Sequence, residues 1–588
     1  MASTLPTCFA LSFLSSKGSR GSSPRCETVM SCSSQAYYPQ IIPRIQQLGL
    51  LTTSVVKKAR YVDYCVRYVF VVIFQLRGDY SPVKHMENIV RLKNILVQVN
   101  GPWESMLTVD YLQKLGIDYH FKEEIKLMLE CLYENMSGNE HEQVITDLFE
   151  TALSFRLLRQ AGHPICSDVL TKFTDKKGRF KSSLRGDVQG LLSLYEASYL
   201  NTGEEILDVA NEFSSMHLAC CIKDLEPNAA KMVKHTLQHP CHMTISRYNT
   251  RHYLDHCHTV SGINIGMFEE VARMDFNLLQ SLHQKELIQI LSWWKSTGLS
   301  KHLKFVRKQP LKWYITSMTV LHDPEFSKCR IEMTKVIAFI YIIDDIFDIH
   351  GSPDELNLFL DAISKWELSA VDILPTYMKC CYIALYDITN EIAQSVLKEQ
   401  GWNPINSLKK AWTRLCNAFL LESRWLQSNQ LPKSDEYLKN AIVSSGVHAV
   451  LMHAFFLLGQ GITKENVSLL ERNPTLLSCP ATILRLRDDL GSAKDEHQDG
   501  FDGSYVECYM KEYPECSTQD ARDYVKQMIA NTWRCFNKEC FSQNPFAPNL
   551  VTACLNIARM VEVMYSYDEN GNIPSLEDYI RVLLYKSI

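Results

Sequence analysis

The strongest constraint on the fold is an apolar run, Val336 to Ile343, that has no polar face. A segment apolar all the way round predicts a helix packed on every side rather than one lying on a surface. The run ends in three carboxylates within five residues: Asp344, Asp345 and Asp348. Asp344 and Asp348 are spaced i, i+4 and share a helix face, with Asp345 one step round. Acids at that end meet the negative pole of the helix dipole. Beside a buried segment they also repel one another and resist desolvation. A cation removes both difficulties. Oxygen ligands with no nearby Cys or His pair favour Mg²⁺ or Mn²⁺ over zinc. Taken alone, the three acids fit a solvated acidic helix end equally well.

The rest of the chain reads as helical from about residue 85 onward. Asn88–Val99, Phe121–Met136, His141–Gly162 and Gly186–Leu200 carry apolar residues at three- and four-residue spacing. Gly101-Pro102, Gly162-His163-Pro164 and Glu226-Pro227-Asn228 mark breaks. Alternating apolar–polar runs are scarce, and there is no glycine-rich phosphate loop, nucleophile elbow or solenoid period. The expected fold class is therefore all-α.

The chain has 588 residues, enough for two or three domains, with 46% hydrophobic and 22% charged residues, as in a soluble globular protein. The net charge of −5 gives no sign of a nucleic-acid partner. Twenty Cys without regular close spacing suggest reduced thiols inside a cell. Residues 1–36 are dense in Ser, carry Lys17, Arg20 and Arg25 against one acid, Glu27, and have transit-peptide composition. The apolar stretch Tyr68–Phe74 is far shorter than the roughly 20 residues that span a bilayer. Thr259–Gly262 is the best boundary between two helical halves, giving 37–260 and 261–588. Just before it, Cys241, His242, His252, His256, Cys257 and His258 cluster, but without the paired spacing of a zinc site and with Arg247 and Arg251 among them. Surface and interface histidines are the better reading.

A second acidic stretch runs from Arg485 to Glu496. Asp488, Ser492 and Glu496 fall at i, i+4 and i+8, one stripe of oxygen ligands two turns long. Arg485, three residues before Asp488, points roughly the same way, and its fork of donors suits a phosphate. A solvated charged helix explains this stripe alone; two stripes in one chain are much harder to reach by accident. Facing one cavity, they could clamp a diphosphate through several Mg²⁺ ions and assist its departure. The cation left behind needs apolar walls and aromatic faces, for which Trp313, Tyr314, Phe339 and Tyr341 are candidates. Ordinary core packing is the simpler role for any one of them.

At this point the residues resemble the plant class I terpene synthases, from about residue 85 to the end of the chain. DDIFD at 344–348 matches the family's aspartate-rich motif, and Asp488, Ser492 and Glu496 its second metal motif, with Arg485 at the basic position before it. GRFKSSLRGDVQGLLSLYEAS (178–198), RMDFNLLQSLHQKEL (273–287), SWWKSTGL (292–299) and DGSYVECYMKE (502–512) add dense matches. The resemblance implies two all-helical domains: an N-terminal α-barrel that is a relic, and a C-terminal helical bundle with the site at its mouth. It implies that Asp344 and Asp348 bind two Mg²⁺ ions and that Asp488, Ser492 and Glu496 bind a third. Asp345 would support from behind, and Arg307 and Arg485 would bind the diphosphate. A lid falls at His497–Ser504. No DxDD acid motif is present, which argues for ionisation of an allylic diphosphate rather than proton-initiated cyclisation.

Three departures narrow the reading. Where most relatives carry Arg-Asp-Arg, this chain has Arg307-Lys308-Gln309, so one basic ligand is missing. No Arg-Arg pair precedes a Trp near the N-terminus. Residues 40–80 do not read like the family and resemble a gene-model artefact. With the RKQPLKWY and KDEHQDGFDGSY wording, the first two departures resemble the subgroup that makes acyclic tertiary alcohols, linalool or nerolidol. The expectation is a monomer in the plastid stroma, with the cytosol as the alternative address. A cyclising mono- or sesquiterpene synthase, a chain-elongating prenyltransferase and a non-catalytic helical scaffold are the rival readings.

Overall fold

The computed structural model describes residues 82–99, 101–137, 147–256, 265–428, 430–492, 503–564, 576–586 and 588. The transit-like segment, the apolar stretch at 68–74, the boundary at 259–262 and most of the expected lid lie outside the described residues. Those described belong to one compact unit. Among them there is no β-strand, only an isolated bridge between Thr174 and Phe180.

Local chemistry explains where the helices begin. Pro102, Pro227, Pro310, Pro353 and Pro548 each open a helix, a position where the missing N–H has no intrahelical partner to lose. Two of the sequence breaks are thus starts. Ser352 and Ser517 add capping boxes with Glu355 and Asp520.

The helices up to His256 meet the later ones along the 32-residue helix Ile265–Ser296. Its Asp275 is buried and accepts hydrogen bonds from the Tyr119 hydroxyl at 2.5 Å and the His120 ring at 2.9 Å, with His85 Nε2 3.3 Å away. Two hydrogen bonds converge on one carboxylate oxygen, with the His85 ring beside it. Its Gln284 donates to the Leu584 carbonyl at 2.6 Å, and Arg251 to that of Lys586 at 2.6 Å. In the histidine-rich stretch His242 reaches a later helix, while His252 and Cys241 bind among the earlier ones. The His242 ring bonds Asn537 at 2.8 Å, His252 stacks on His235 with centroids 3.6 Å apart, and the Cys241 amide donates to Glu196.

The apolar run becomes the helix Ser327–Asp345, and every residue from Val336 to Asp345 is buried. It packs against Pro310–Val320, Ile265–Ser296 and Val447–Leu458. Ser434–Leu458 is long and apolar enough to cross a membrane by composition, but 78% of its most apolar window is buried inside the protein, and it is two helices joined at Gly446. It is a core element of the bundle.

Candidate active site

The first acidic helix end is held by an arginine from another segment. Asp344 and Asp345 are fully buried. Arg307 Nη2 lies 2.5 Å from Asp344 Oδ2 and its Nε 2.6 Å from Asp345 Oδ1. The Arg307 amide donates to Asp345 Oδ2 at 2.7 Å. The guanidinium also sits over the Tyr341 ring, 5.4 Å from its centroid. Burial, then the neighbouring Asp348, pushes the Asp344 carboxyl well above its ordinary range, and burial raises Asp345. Asp344 Oδ1 remains buried with no hydrogen-bond partner among the described residues.

The helix does not stop at Asp345 but widens into a π-turn, Ile346–His350. Its closing bond runs from the Gly351 amide to the Ile346 carbonyl at 2.8 Å, the i→i+5 pattern of that turn. A Cβ at Gly351 would stand 2.9 Å from that oxygen and 2.4 Å from Leu356 Cδ2, so any other residue there would make the turn or Leu356 shift. Asp348 leaves this turn half-buried.

The second end lies on the helix Thr475–Ser492. Arg485, Asp488 and Asp489 are all buried. The Arg485 guanidinium pairs closely with Asp488 and lies 2.9 Å from Asp489 Oδ1. Asp489 was not singled out from the sequence, yet it is the most connected acid of this end. It also accepts the Tyr437 hydroxyl at 3.1 Å and the Tyr505 amide at 2.9 Å. Tyr505 begins the helix Tyr505–Glu512, whose cap is Ser504, so Asp489 pins the chain where it re-enters the bundle. The doubled acid after an arginine, at i+4, was the available signal. Ser492 is the last residue of its helix; its side chain and the whole of Glu496 lie outside the described residues.

Asp348 links the two ends. Its pKa is pushed up to about 8 by burial and then by the charge of Glu422, while Arg307 of the first end and Arg485 of the second both pull it down. Glu422, on the helix Ile405–Ser428, accepts from Ser444 at 2.6 Å and Asn440 at 3.1 Å. Nothing in its own stretch of sequence marked it. Both acidic helices pack against Val447–Leu458. Of the aromatic candidates, Trp313 and Tyr341 lie 6.5 Å apart beside Arg307, and Phe339 is fully buried on the same helix as Tyr341. Tyr314 turns away, bonded to His283 and Glu286 at 2.8 Å each, and has the packing role.

This donor set fits hard divalent cations. Buried carboxylates crowd one another, one oxygen has no partner, and neither imidazole nor thiolate takes part. Asp344, Asp348 and Asp488 could hold such ions.

Comparison with known proteins gives the family. The model of the terpene synthase family's metal-binding domain matches residues 295–535, and that of the terpene synthase N-terminal domain matches residues 73–237. The (E)-nerolidol synthase TPS18VF of Cannabis sativa is 45% identical over 517 residues, covering 86% of this chain and 92% of its own. The chloroplastic S-(+)-linalool synthase of Arabidopsis thaliana is 43% identical over 511 residues, 85% of this chain and 88% of its own. Isoprene synthase from grey poplar leaves, solved in complex with three Mg²⁺ ions and dimethylallyl-S-thiolodiphosphate, superposes with a TM-score of 0.79. It is 33% identical and covers 86% of this chain and 97% of its own.

Proposed function

Since the chain belongs to the terpene synthase family, we propose that it ionises an allylic prenyl diphosphate and lets water capture the cation at its internal, tertiary carbon. The products are linalool from geranyl diphosphate and nerolidol from farnesyl diphosphate. The observation that carries this reading is that one carboxylate, Asp348, lies within electrostatic reach of Arg307 from the first end and Arg485 from the second, which supports a single site served by both. The named activities of the linalool and nerolidol relatives support the product class.

Asp344 and Asp348 would hold two Mg²⁺ ions, and Asp488, Ser492 and Glu496 a third, with Mn²⁺ as a substitute. Bound there, the metal supplies charge to the departing diphosphate. Arg307 and Arg485 bind the diphosphate oxygens. In the ligand-free protein Arg307 spans Asp344 and Asp345. Substrate arrival shifts it toward phosphate while Asp345, gripping its backbone amide, keeps its base in place. The allylic C–O bond breaks with its electron pair going to diphosphate. The water oxygen then bonds to the tertiary carbon, and its proton passes to the departed diphosphate. Trp313 and Tyr341 offer aromatic faces to the cation. We read residues 37–260 as the relic domain and 261–588 as the catalytic one, the chain as a monomer, and its address as the plastid stroma, in line with chloroplastic relatives.

The test is incubation of the purified chain and Mg²⁺ with ten-, fifteen- and twenty-carbon diphosphates, each volatile being identified by gas chromatography and mass spectrometry. Linalool or nerolidol as the main Mg²⁺-dependent product is expected. Mainly cyclic products would replace this reading by a cyclase.

A further inference from the structure

Away from the acidic helix ends, three segments meet at one point: the helix Pro82–Leu96, the turn Asp118–His120 and the helix Ile265–Ser296. Each brings one metal-ligating side chain there, His85, His120 and Asp275. One donor atom from each lies within 4.8 Å of the other two. His85 and Asp275 are buried and His120 is half-buried.

A plain hydrogen-bonded cluster explains two of the groups around Asp275. The Tyr119 hydroxyl and the His120 ring both bond its Oδ1, at 2.5 and 2.9 Å. It does not explain His85. That ring puts Nε2 3.3 Å from the same oxygen but out of line for a hydrogen bond, and neither of its nitrogens has a hydrogen-bond partner among the described residues. A buried imidazole left so costs free energy. Asp275 also lacks an ordinary counter-charge. Among the described residues its only ion pairs are with the two histidines. Arg247 turns instead to the next residue, donating to the Phe276 carbonyl at 3.2 Å and covering the Phe276 ring. A buried carboxylate and an idle imidazole thus face each other, and a divalent cation between them would satisfy both.

We propose that His85, His120 and Asp275 form a zinc site that clips the early helices to the helix Ile265–Ser296. Two imidazole nitrogens and one carboxylate oxygen are a zinc donor set, unlike the all-oxygen acidic ends, which suit Mg²⁺. The spacing is close to what zinc needs. With bonds of about 2.0–2.2 Å, donors around a tetrahedral ion stand roughly 3.3–3.6 Å apart. His85 Nε2 is already at 3.3 Å from the Asp275 oxygen, and His120, at 2.9 Å, has only a few tenths of an ångström to yield. The His120 side chain is 19% exposed, which gives the ion a way in and leaves the fourth position to water. The helix so clipped packs against the helix Ser327–Asp345, where its Glu286 holds Arg330 at 2.6 Å. The clip would therefore steady the support behind the first acidic end.

The experiment loads the full-length protein, stripped on a chelating resin, with Zn²⁺ in excess Mg²⁺, so that the oxygen sites are occupied. After desalting, zinc is counted by mass spectrometry and its ligands are read from X-ray absorption. The native protein should keep about one zinc per chain, with scattering from two imidazoles. His85→Phe fills the same space and breaks no hydrogen bond, so it should fold. It should bind zinc at least about 100-fold more weakly, since loss of an outer partner alone costs up to that much, and leave the column empty. Zinc should raise the melting temperature of the native protein and not that of the variant. His120→Gln serves if the phenylalanine variant does not fold. A native protein that keeps no zinc overturns the proposal. So does zinc retained equally by native protein and variants, which would place the ion elsewhere.

Discussion

The two acidic helix ends solve one problem in different ways. At Asp344 and Asp345 the balancing arginine comes from a separate segment, 37 residues earlier than Asp344 in the chain. At Asp488 and Asp489 it comes from the same helix, three and four residues before them. The first end therefore has no counter-charge until the bundle has formed. The second carries its own, and what tertiary structure adds there is Tyr437 and the Tyr505 amide on Asp489. A charge partner built into one helix survives local rearrangement. One borrowed across the fold is free to change partners when a ligand arrives.

The hardest test of that contrast removes a proposed metal ligand from each end. Asp344→Ala and Glu496→Ala should each cut turnover by about a thousandfold or more, judged from the loss of a group that stabilises departing charge, with circular dichroism unchanged. Near-normal product formation in either, followed by gas chromatography, would break the picture of one shared site. Next come the arginines. Arg485→Met strands two fully buried acids and should cost about 3–5 kcal/mol in urea unfolding. Arg307→Met should cost less, because burial already raises the Asp344 and Asp345 carboxyls toward the neutral form, which needs no counter-charge, while reducing turnover severely. Equal losses of stability would erase the distinction. Asp489→Asn leaves Asp488 in place but loosens Arg485 and the start of Tyr505–Glu512. A fall in kcat of about tenfold, near the 1.4 kcal/mol that one weakened charged contact represents, is expected from steady-state assays. Tyr437→Phe deletes the hydrogen bond to Asp489 and should cost only about 1 kcal/mol of stability.

Acid should weaken the helix that both ends pack against, Val447–Leu458. Burial lowers His448 and His453 of that helix from 6.5 to about 4 each. Between those values the unfolded chain binds protons that the native protein refuses. Stability is therefore lost as pH falls from about 6.5 toward 4, by up to about 1.4 kcal/mol per pH unit for each group. A melting temperature that stayed flat over that window would show the rings to be protonated in place.

Much of this was legible in the residues. The run Val336–Ile343 is as buried as its lack of a polar face required, and the all-helical class followed from spacing. The site was legible where chemistry repeats at helical intervals: Asp344 and Asp348, or Arg485 and Asp488. It was not legible where partners come from elsewhere in the chain. The reach of Glu422 to Asp348, and of Asp489 to Tyr505, depends on packing between distant helices. Tyr314 shows the converse, since an aromatic beside the motif can be claimed by a polar network behind it.

Gly351 gives the molecule an unexpected point of leverage. It contributes no atom to any chemistry, yet the space where its side chain would be is what allows the Ile346 carbonyl to be capped. Even a methyl group there would press on that carbonyl and on Leu356, so the turn that carries Asp348 would have to shift without either acid being altered. Mutagenesis that spares every residue of the DDIFD signature could still silence it from three positions downstream.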